Sequence, residues 1–266
     1  MNQPLLAGRV AIVTGASRGI GAATARAFVA AGAAVALAAR DAAALEALAH
    51  ELSAAGGRAI AVPTDVGEPA AVQHLVEQTV RAFGRLDVAF NNAAGGGRPP
   101  TPLADLPVEA FDSAIAVSLR GVFLSMKYEI PAMLAARGGA IVNMSSTAGV
   151  EGLGGLAGYV SAKHGVIGLT RSAALDYADR NVRVNAVAPG PILTERLAAA
   201  GAEAQRIAGL AMPMKRIGRT EEVARAVVWL CSDQASFITG AVLAIDGGKL
   251  AGAAPFSALA RPPAAR

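Results

Sequence analysis

A parallel α/β domain is what this sequence predicts, and three observations predict it. Short apolar runs of strand length alternate with amphipathic runs of helix length along nearly the whole chain. The 266 residues are 53% hydrophobic but only 4% aromatic, so the apolar share is mostly Ala, Val, Leu and Ile; that suits strands buried on both faces beneath closely packed helices. No linker or solenoid-length repeat divides the chain, and its length suits one α/β domain with a large core.

Taken in order, the first strand is read at 9–14, followed by a turn at 15–21 and a helix at 20–31. A strand at 34–39, a helix at 42–55, a strand at 58–62, a helix at 69–83 and a strand at 86–91 continue the alternation. A loop at 95–102 leads to a long helical region, 108–136, which Pro131 should kink or break. Then come a strand at 140–144, a helix at 159–178, a strand at 182–188, a helix at 220–230 and a strand at 241–245. The sum is a three-layer, Rossmann-type doubly wound fold, with a seven-stranded parallel sheet flanked by helices. Residues 1–252 read as one domain, and the Ala- and Pro-rich stretch 253–266 as a poorly ordered tail.

The formal charge is +4 and the arginines are spread along the chain, which argues against a nucleic-acid footprint and fits an anionic ligand. Cys231 is the only cysteine, so no internal disulfide forms; following Trp229-Leu230 in an apolar helix, it reads as a small buried hydrophobe. No basic stretch precedes an apolar one at the start, and the uncharged run 27–39 is too short for a bilayer and broken at Gly32. A cytoplasmic protein without membrane contact is expected. His50, His74 and His164 have no ligand spacing, so no metal is expected.

Two stretches carry chemistry. Between the first strand and first helix stands Thr14-Gly15-Ala16-Ser17-Arg18-Gly19-Ile20-Gly21. Glycines let the backbone turn sharply and approach a ligand, and the helix N-terminus beyond offers free N–H groups to a pyrophosphate. This position, at the start of a βαβ unit, is the one that signals a dinucleotide. The second stretch is Tyr159-Val160-Ser161-Ala162-Lys163. Four residues is one helical turn, so Tyr159 and Lys163 share a face, and an ammonium beside a phenol favours the phenolate. The pair is a candidate proton donor and acceptor.

The glycine spacing, Gly-x-x-x-Gly-x-Gly, resembles that of the short-chain dehydrogenase/reductase family in its single-domain branch. Tyr159 with Lys163, the run Asn91-Asn92-Ala93-Ala94-Gly95 and the pair Pro189-Gly190 match the same family, and the resemblance spans residues 9–248. It implies that Gly15, Ser17, Arg18, Gly19, Ile20 and Gly21 hold a dinucleotide, with Asp65 and Val66 at its adenine and Asn92 against it. Pro189, Gly190, Ile192 and Thr194 would lie by its carboxamide and phosphates, and Tyr159 and Lys163 by its ribose. Asp65 reads equally well as a turn or cap residue.

By similarity Ser146 is the catalytic serine, with Ser145 ranked second; Tyr159 exchanges the proton, Ser146 stabilises the oxygen on which charge grows, and Lys163 lowers the phenol pKa. The family commonly has an asparagine where this chain has Ser118, in Val117-Ser118-Leu119-Arg120-Gly121; the expectation is that Ser118, with an extra water, keeps the proton relay from Lys163.

Charge chooses between cofactors. An acidic residue ending the second strand would bond a ribose 2′-OH and repel a 2′-phosphate. Here that position is Ala39, with Arg40 next and Arg18 within reach, which favours NADP(H) over NAD(H).

The expected activity is hydride transfer between NADP(H) and a carbonyl or secondary alcohol. Two alternatives stand beside it: a 3-oxoacyl-carrier-protein-type reductase, for which Arg120 and Lys127 would have to group at the pocket mouth, and a catalytically silent NADP(H)-binding protein. Residues 191–215 would form the substrate lid, Ala- and Gly-rich between 195 and 213. The helix at 159–178, apolar at Val166, Leu169, Ala173 and Ala174 besides its catalytic face, is expected to bury a second side against a partner, and the family resemblance implies a homotetramer.

Overall fold

The structure is a computed structural model describing residues 3–95 and 99–252. The tail at 253–266 and part of the 95–102 loop therefore lie outside the described residues. Seven strands form one parallel sheet: β1 (Val10–Thr14), β2 (Ala34–Ala39), β3 (Arg58–Pro63), β4 (Val88–Asn91), β5 (Gly139–Met144), β6 (Val182–Pro189) and β9 (Val242–Ile245). Their order in space is β3-β2-β1-β4-β5-β6-β9. The chain runs outward from β1 to β3, returns, and runs outward again from β4. The crevice between β1 and β4 is thus the switch point, where such sheets bind ligands beyond the strands' carboxyl ends.

Two apolar layers clamp the sheet. Inward-facing residues on one side, among them Val13, Leu37 and Phe90, meet Phe28 of helix α1 (Gly19–Ala30), Leu45 of α2 (Ala42–Ala54) and Val227 of α9 (Thr220–Cys231). Ile12, Ala89 and Ile141 face the other side. They meet Leu75 of α3 (Pro69–Phe83), Ile130 of α5 (Gly121–Ala135) and Val166 of α6 (Ala157–Tyr177). Alternation of side along each strand follows from the two-residue repeat of a pleated chain, and both sets are apolar because both faces are covered.

Three expectations need correction. The long helical region does not yield at Pro131, which lies inside α5. It breaks earlier: α4 (Val108–Ile115) passes through a π-turn at Ala116–Arg120 before α5 begins, and Ser118 sits in that turn. Proline costs one amide bond where the helix is already packed on the sheet, whereas the inserted π residue changes which faces α4 and α5 present. Second, Val166, Ala173 and Ala174 are buried in the chain's own core and Leu169 packs against it, so the residues expected to meet a partner are taken. The large apolar groups left exposed on that side are Phe123 of α5 and Leu175 of α6. Third, β4 begins at Val88 rather than 86; Asp87 just before it still bonds both neighbours, its N–H donating to the Val10 carbonyl and its carbonyl accepting from the Ala140 N–H, while its carboxylate accepts from the Val10 N–H at 2.9 Å and pairs with Arg85.

The segment read as a lid is built, not loose. It opens with β7 (Ile192–Leu193), and just past its expected end at 215 comes β8 (Gly218–Arg219), which pairs with β7 in parallel as a small second sheet. Between them stand two short helices, α7 (Glu195–Ala199) and α8 (Gly201–Leu210), joined where Gly201 adopts a positive φ.

Candidate active site

Beyond the carboxyl ends of β1, β4, β5 and β6 lies a cavity of about 590 Å³. Its wall carries Ser146, Tyr159 and Lys163 together with Asn92, Pro189, Gly190, Ile192 and Thr194. Ser146 follows β5 and caps a short 3-10 turn: its Oγ accepts from the Ala148 N–H at 3.1 Å, and its own O–H faces the cavity beside the Tyr159 phenol. Tyr159 lies in the first turn of α6, and Lys163 one turn on. Ser145, the second-ranked serine, is committed elsewhere, donating to the Lys163 carbonyl at 3.0 Å.

The charges differ from the simplest expectation. Burial raises the Tyr159 phenol above its ordinary value, while Ser146 and then Arg196 act to lower it. Lys163 is fully buried, and burial pulls it down to about 8. Its ammonium is 5.7 Å from the centroid of the Tyr159 ring and donates to the Met144 carbonyl at 2.7 Å. The phenol is therefore held protonated by desolvation, and the expected depression by Lys163 is not seen.

The glycine turn fits a pyrophosphate on its own geometry. Gly15 and Gly19 have φ of 65° and 56°, a region that disfavours side chains. A Cβ on Gly21 would overlap the Gly15 carbonyl oxygen. Asn92 locks this turn to β4, its Nδ2 donating to the carbonyls of Thr14 and Gly15 at 3.0 and 3.1 Å. The Thr14 hydroxyl accepts from the N–H groups of Asn92 and Ala93, a tie that reading the sequence did not find. At the α1 N-terminus a carboxylate stands where a ligand's anion would: Glu195 Oε1 accepts from the Gly19 N–H at 3.2 Å.

Of the remaining expected residues, Arg18 and Arg40 are exposed and without an ion pair among the described residues. Asp41 uses its carboxylate to cap α2, accepting from the Ala44 N–H, and Ala39 ends β2. Ser17 lies in the turn. Asp65 Oδ1 accepts from the Gly67 N–H at 2.9 Å, and Val66 is buried against Val72 and Leu124. Ser118 is brought to the loop after β4, where its Oγ accepts from the Gly95 N–H at 3.1 Å; the described contacts do not join it to Lys163. Arg120 donates to the Gly67 carbonyl, and neither it nor Lys127 lines the cavity.

Sequence reasoning missed Arg196, Leu197 and Ala200, which complete the cavity wall from the segment after β7. It also missed the polar cluster beneath it: Asn91 Nδ2 donates to Glu129 and to Asn143, and Asn143 donates to Thr170. Period and motif identify neither set, because each depends on which helix comes over which strand. Cys231 is buried, and burial pushes its thiol up to about 12. Among the described residues no group of His, Cys, Asp or Glu could hold a metal ion, and no helix is long and apolar enough to cross a membrane.

The family model described as "Enoyl-(Acyl carrier protein) reductase" matches residues 15–249. The chain is 45% identical over 251 residues to the A-factor type gamma-butyrolactone 1'-reductase (1S-forming) of Streptomyces virginiae, covering 92% of this chain and 97% of that one. It is 44% identical over 239 residues to the cyclohexanol dehydrogenase of Acinetobacter sp. (strain SE19), covering 90% and 94%. The crystal structure of levodione reductase is similar with a TM-score of 0.89 at 34% identity, covering 93% of this chain and 100% of that one.

Proposed function

The chain belongs to the short-chain dehydrogenase/reductase family, and from that premise we propose that it moves a hydride between NADP(H) and a carbonyl or secondary alcohol, with Tyr159 exchanging the proton. One cavity wall carrying Ser146, Tyr159 and Lys163, with the glycine turn and Asn92 at its edge, is the observation that supports this most. Gly15, Ser17, Gly19, Ile20 and Gly21 would hold the dinucleotide phosphates, Asp65 and Val66 the adenine, and Pro189, Gly190, Ile192 and Thr194 the nicotinamide side. A nicotinamide bound there supplies or accepts the hydride.

The chain's own groups do the rest. In reduction the Ser146 O–H donates to the substrate oxygen as negative charge gathers there. Tyr159, kept protonated by its burial, then has a proton to give to that oxygen. In oxidation the same oxygen would lose its proton to the Tyr159 phenolate, so the phenol must first pass its own proton on. Lys163 carries a charge that changes near neutral pH within a helical turn of the phenol, and so is suited to restore the proton. Ser118 supports the site by holding the Gly95 amide; a relay through it needs a water between.

NADP(H) rather than NAD(H) is part of the reading, supported by free guanidinium groups at Arg18 and Arg40, by Ala39 in place of an acid, and by Asp41 being occupied as a helix cap. Residues 1–252 then act as one catalytic domain whose lid, 191–215, closes over the substrate. A cytoplasmic setting suits a free NADP(H) pool and a buried thiol. A homotetramer is supported by the exposed Phe123 and Leu175 on the α5–α6 side and by the half-buried edge strand β9.

The test is NADPH or NADH oxidation against cyclic ketones, with Tyr159→Phe. The variant should lose between about 10²- and 10⁴-fold in kcat/KM while still binding NADP+. Full activity in that variant would remove Tyr159 from the mechanism.

A further inference from the structure

We propose that Arg196 is an anchor for an anionic group on the substrate, so that the molecules this site favours are small carbonyl or alcohol compounds carrying a carboxylate. The inference rests on the oxidoreductase reading above and narrows its substrate class.

Three observations carry it. Arg196 lines the same cavity as Ser146 and Tyr159, on the side built by α7, where its neighbours Ile192, Leu197 and Ala200 are apolar. Second, its charge has no partner: among the described residues Arg196 makes neither an ion pair nor a hydrogen bond. The carboxylate beside it in sequence, Glu195, is turned away to the Gly19 amide at the opposite side of the lid. The first turn of α7 thus sends its acid toward the dinucleotide turn and its base toward the reacting groups. Third, the other cation of the cavity, Lys163, is engaged with the Met144 carbonyl and fully buried. Arg196 is left as the group able to receive a charge entering with the substrate, and its field already reaches the Tyr159 hydroxyl.

A planar guanidinium matches a carboxylate through two parallel N–H···O bonds, which fixes orientation as well as adding attraction. Arg196 is itself exposed at the cavity rim, so the pairing is that of a partly solvated ion pair whose strength should fall as salt rises. The carboxylate would hold one end of the substrate at the lid and leave the carbonyl carbon to the Ser146–Tyr159 end.

The experiment compares 4-oxocyclohexanecarboxylate with its neutral isostere 4-oxocyclohexanecarboxamide in the wild type, Arg196→Met and Arg196→Lys, reading the ratio of the two kcat/KM values within each protein. That ratio cancels any effect of the substitution on the chemistry shared by both substrates. The wild type should favour the acid about tenfold or more. Arg196→Met should bring the ratio toward one, and Arg196→Lys should keep part of it. A wild-type ratio near one, or a ratio that Arg196→Met leaves within about twofold, overturns the proposal. So does a loss confined to NADP+ affinity, which would assign Arg196 to the cofactor.

If the wild type reduces neither ketone with NADPH or NADH, the redox reading fails separately. The anchor is then judged by calorimetric binding of cyclohexanecarboxylate and cyclohexanecarboxamide to the protein with NADP+. Selective binding of the acid that Arg196→Met abolishes upholds it, and equal binding overturns it.

Discussion

Glu195 gives the sharpest prediction about the dinucleotide turn. Its carboxylate accepts from the Gly19 N–H at 3.2 Å, in exposed surroundings at the first amide of α1. A carboxylate at such a helix end contributes about 0.3–1 kcal/mol. A pyrophosphate seated there takes the same N–H, so this contribution is forfeited on binding. The displaced carboxylate then sits near two like charges. At about 6 Å in water each pair costs ~0.7 kcal/mol, roughly halved by physiological salt. The sum is about 1–1.5 kcal/mol, so Glu195→Ala should tighten NADP+ binding by about five- to tenfold. Glu195→Gln should fall between, because its amide oxygen still accepts from Gly19 without the charge. Calorimetric titration of the cofactor-free protein at low and high salt measures this, and the gain should shrink as salt rises. Equal or weaker binding in Glu195→Ala would mean that the contact does not compete with the cofactor, and the reasoning would fall.

Other outcomes follow from buried charge and exposed arginine. Lys163 has a folded value near 8 against 10.5 when free, so between those values the unfolded state binds more protons and stability rises with pH. Lys163→Met should therefore melt higher than wild type at pH 7, by up to about 3 kcal/mol of stability, with the gap closing toward pH 10; a lower melting temperature at pH 7 would refute this. Glu129 is raised to about 7 by burial, and its Oε1 has no partner among the described residues. Between 4.5 and 7 the folded carboxyl keeps a proton that the unfolded one loses, so its contribution is lost as pH rises through 7. Glu129→Gln should stabilise at pH 8, again by up to about 3 kcal/mol, and little at pH 4.5; equal shifts in thermal scans at both would contradict the assignment. Arg40→Ala should weaken NADP+ about tenfold and leave NAD+ nearly unaffected, and parallel losses in both titrations would place Arg40 elsewhere.

The sheet was legible because its signal is local. A strand covered on both faces has to read as a largely apolar run, as 34–39 does and as 140–144 does apart from Asn143, and the glycines at 15, 19 and 21 report a turn that tolerates no side chain. Tyr159 and Lys163 were legible for a similar reason, since a spacing of four fixes a shared face. Their electrostatics were not, because the phenol's pKa depends on how much protein surrounds it, and that depth is set by tertiary packing. The π-turn at Ala116–Arg120 left no mark in the periodicity: one extra residue inside a helix keeps the run apolar, whereas Pro131 advertises a break that packing overrides. The opposed directions of Glu195 and Arg196 are equally invisible, since adjacent positions in a short helix carry no sign of what each will meet.

The pairing of Ile192–Leu193 with Gly218–Arg219 closes the excursion between them at its base, independent of the main sheet. That makes the two helices a cassette with a fixed socket. Their length and lining can then be altered while the elements that carry Ser146, Tyr159 and Lys163 to the cavity stay as they are. New selectivity toward ring size or charge is then reachable by swapping one contiguous block of gene, with both anchoring strands already supplied.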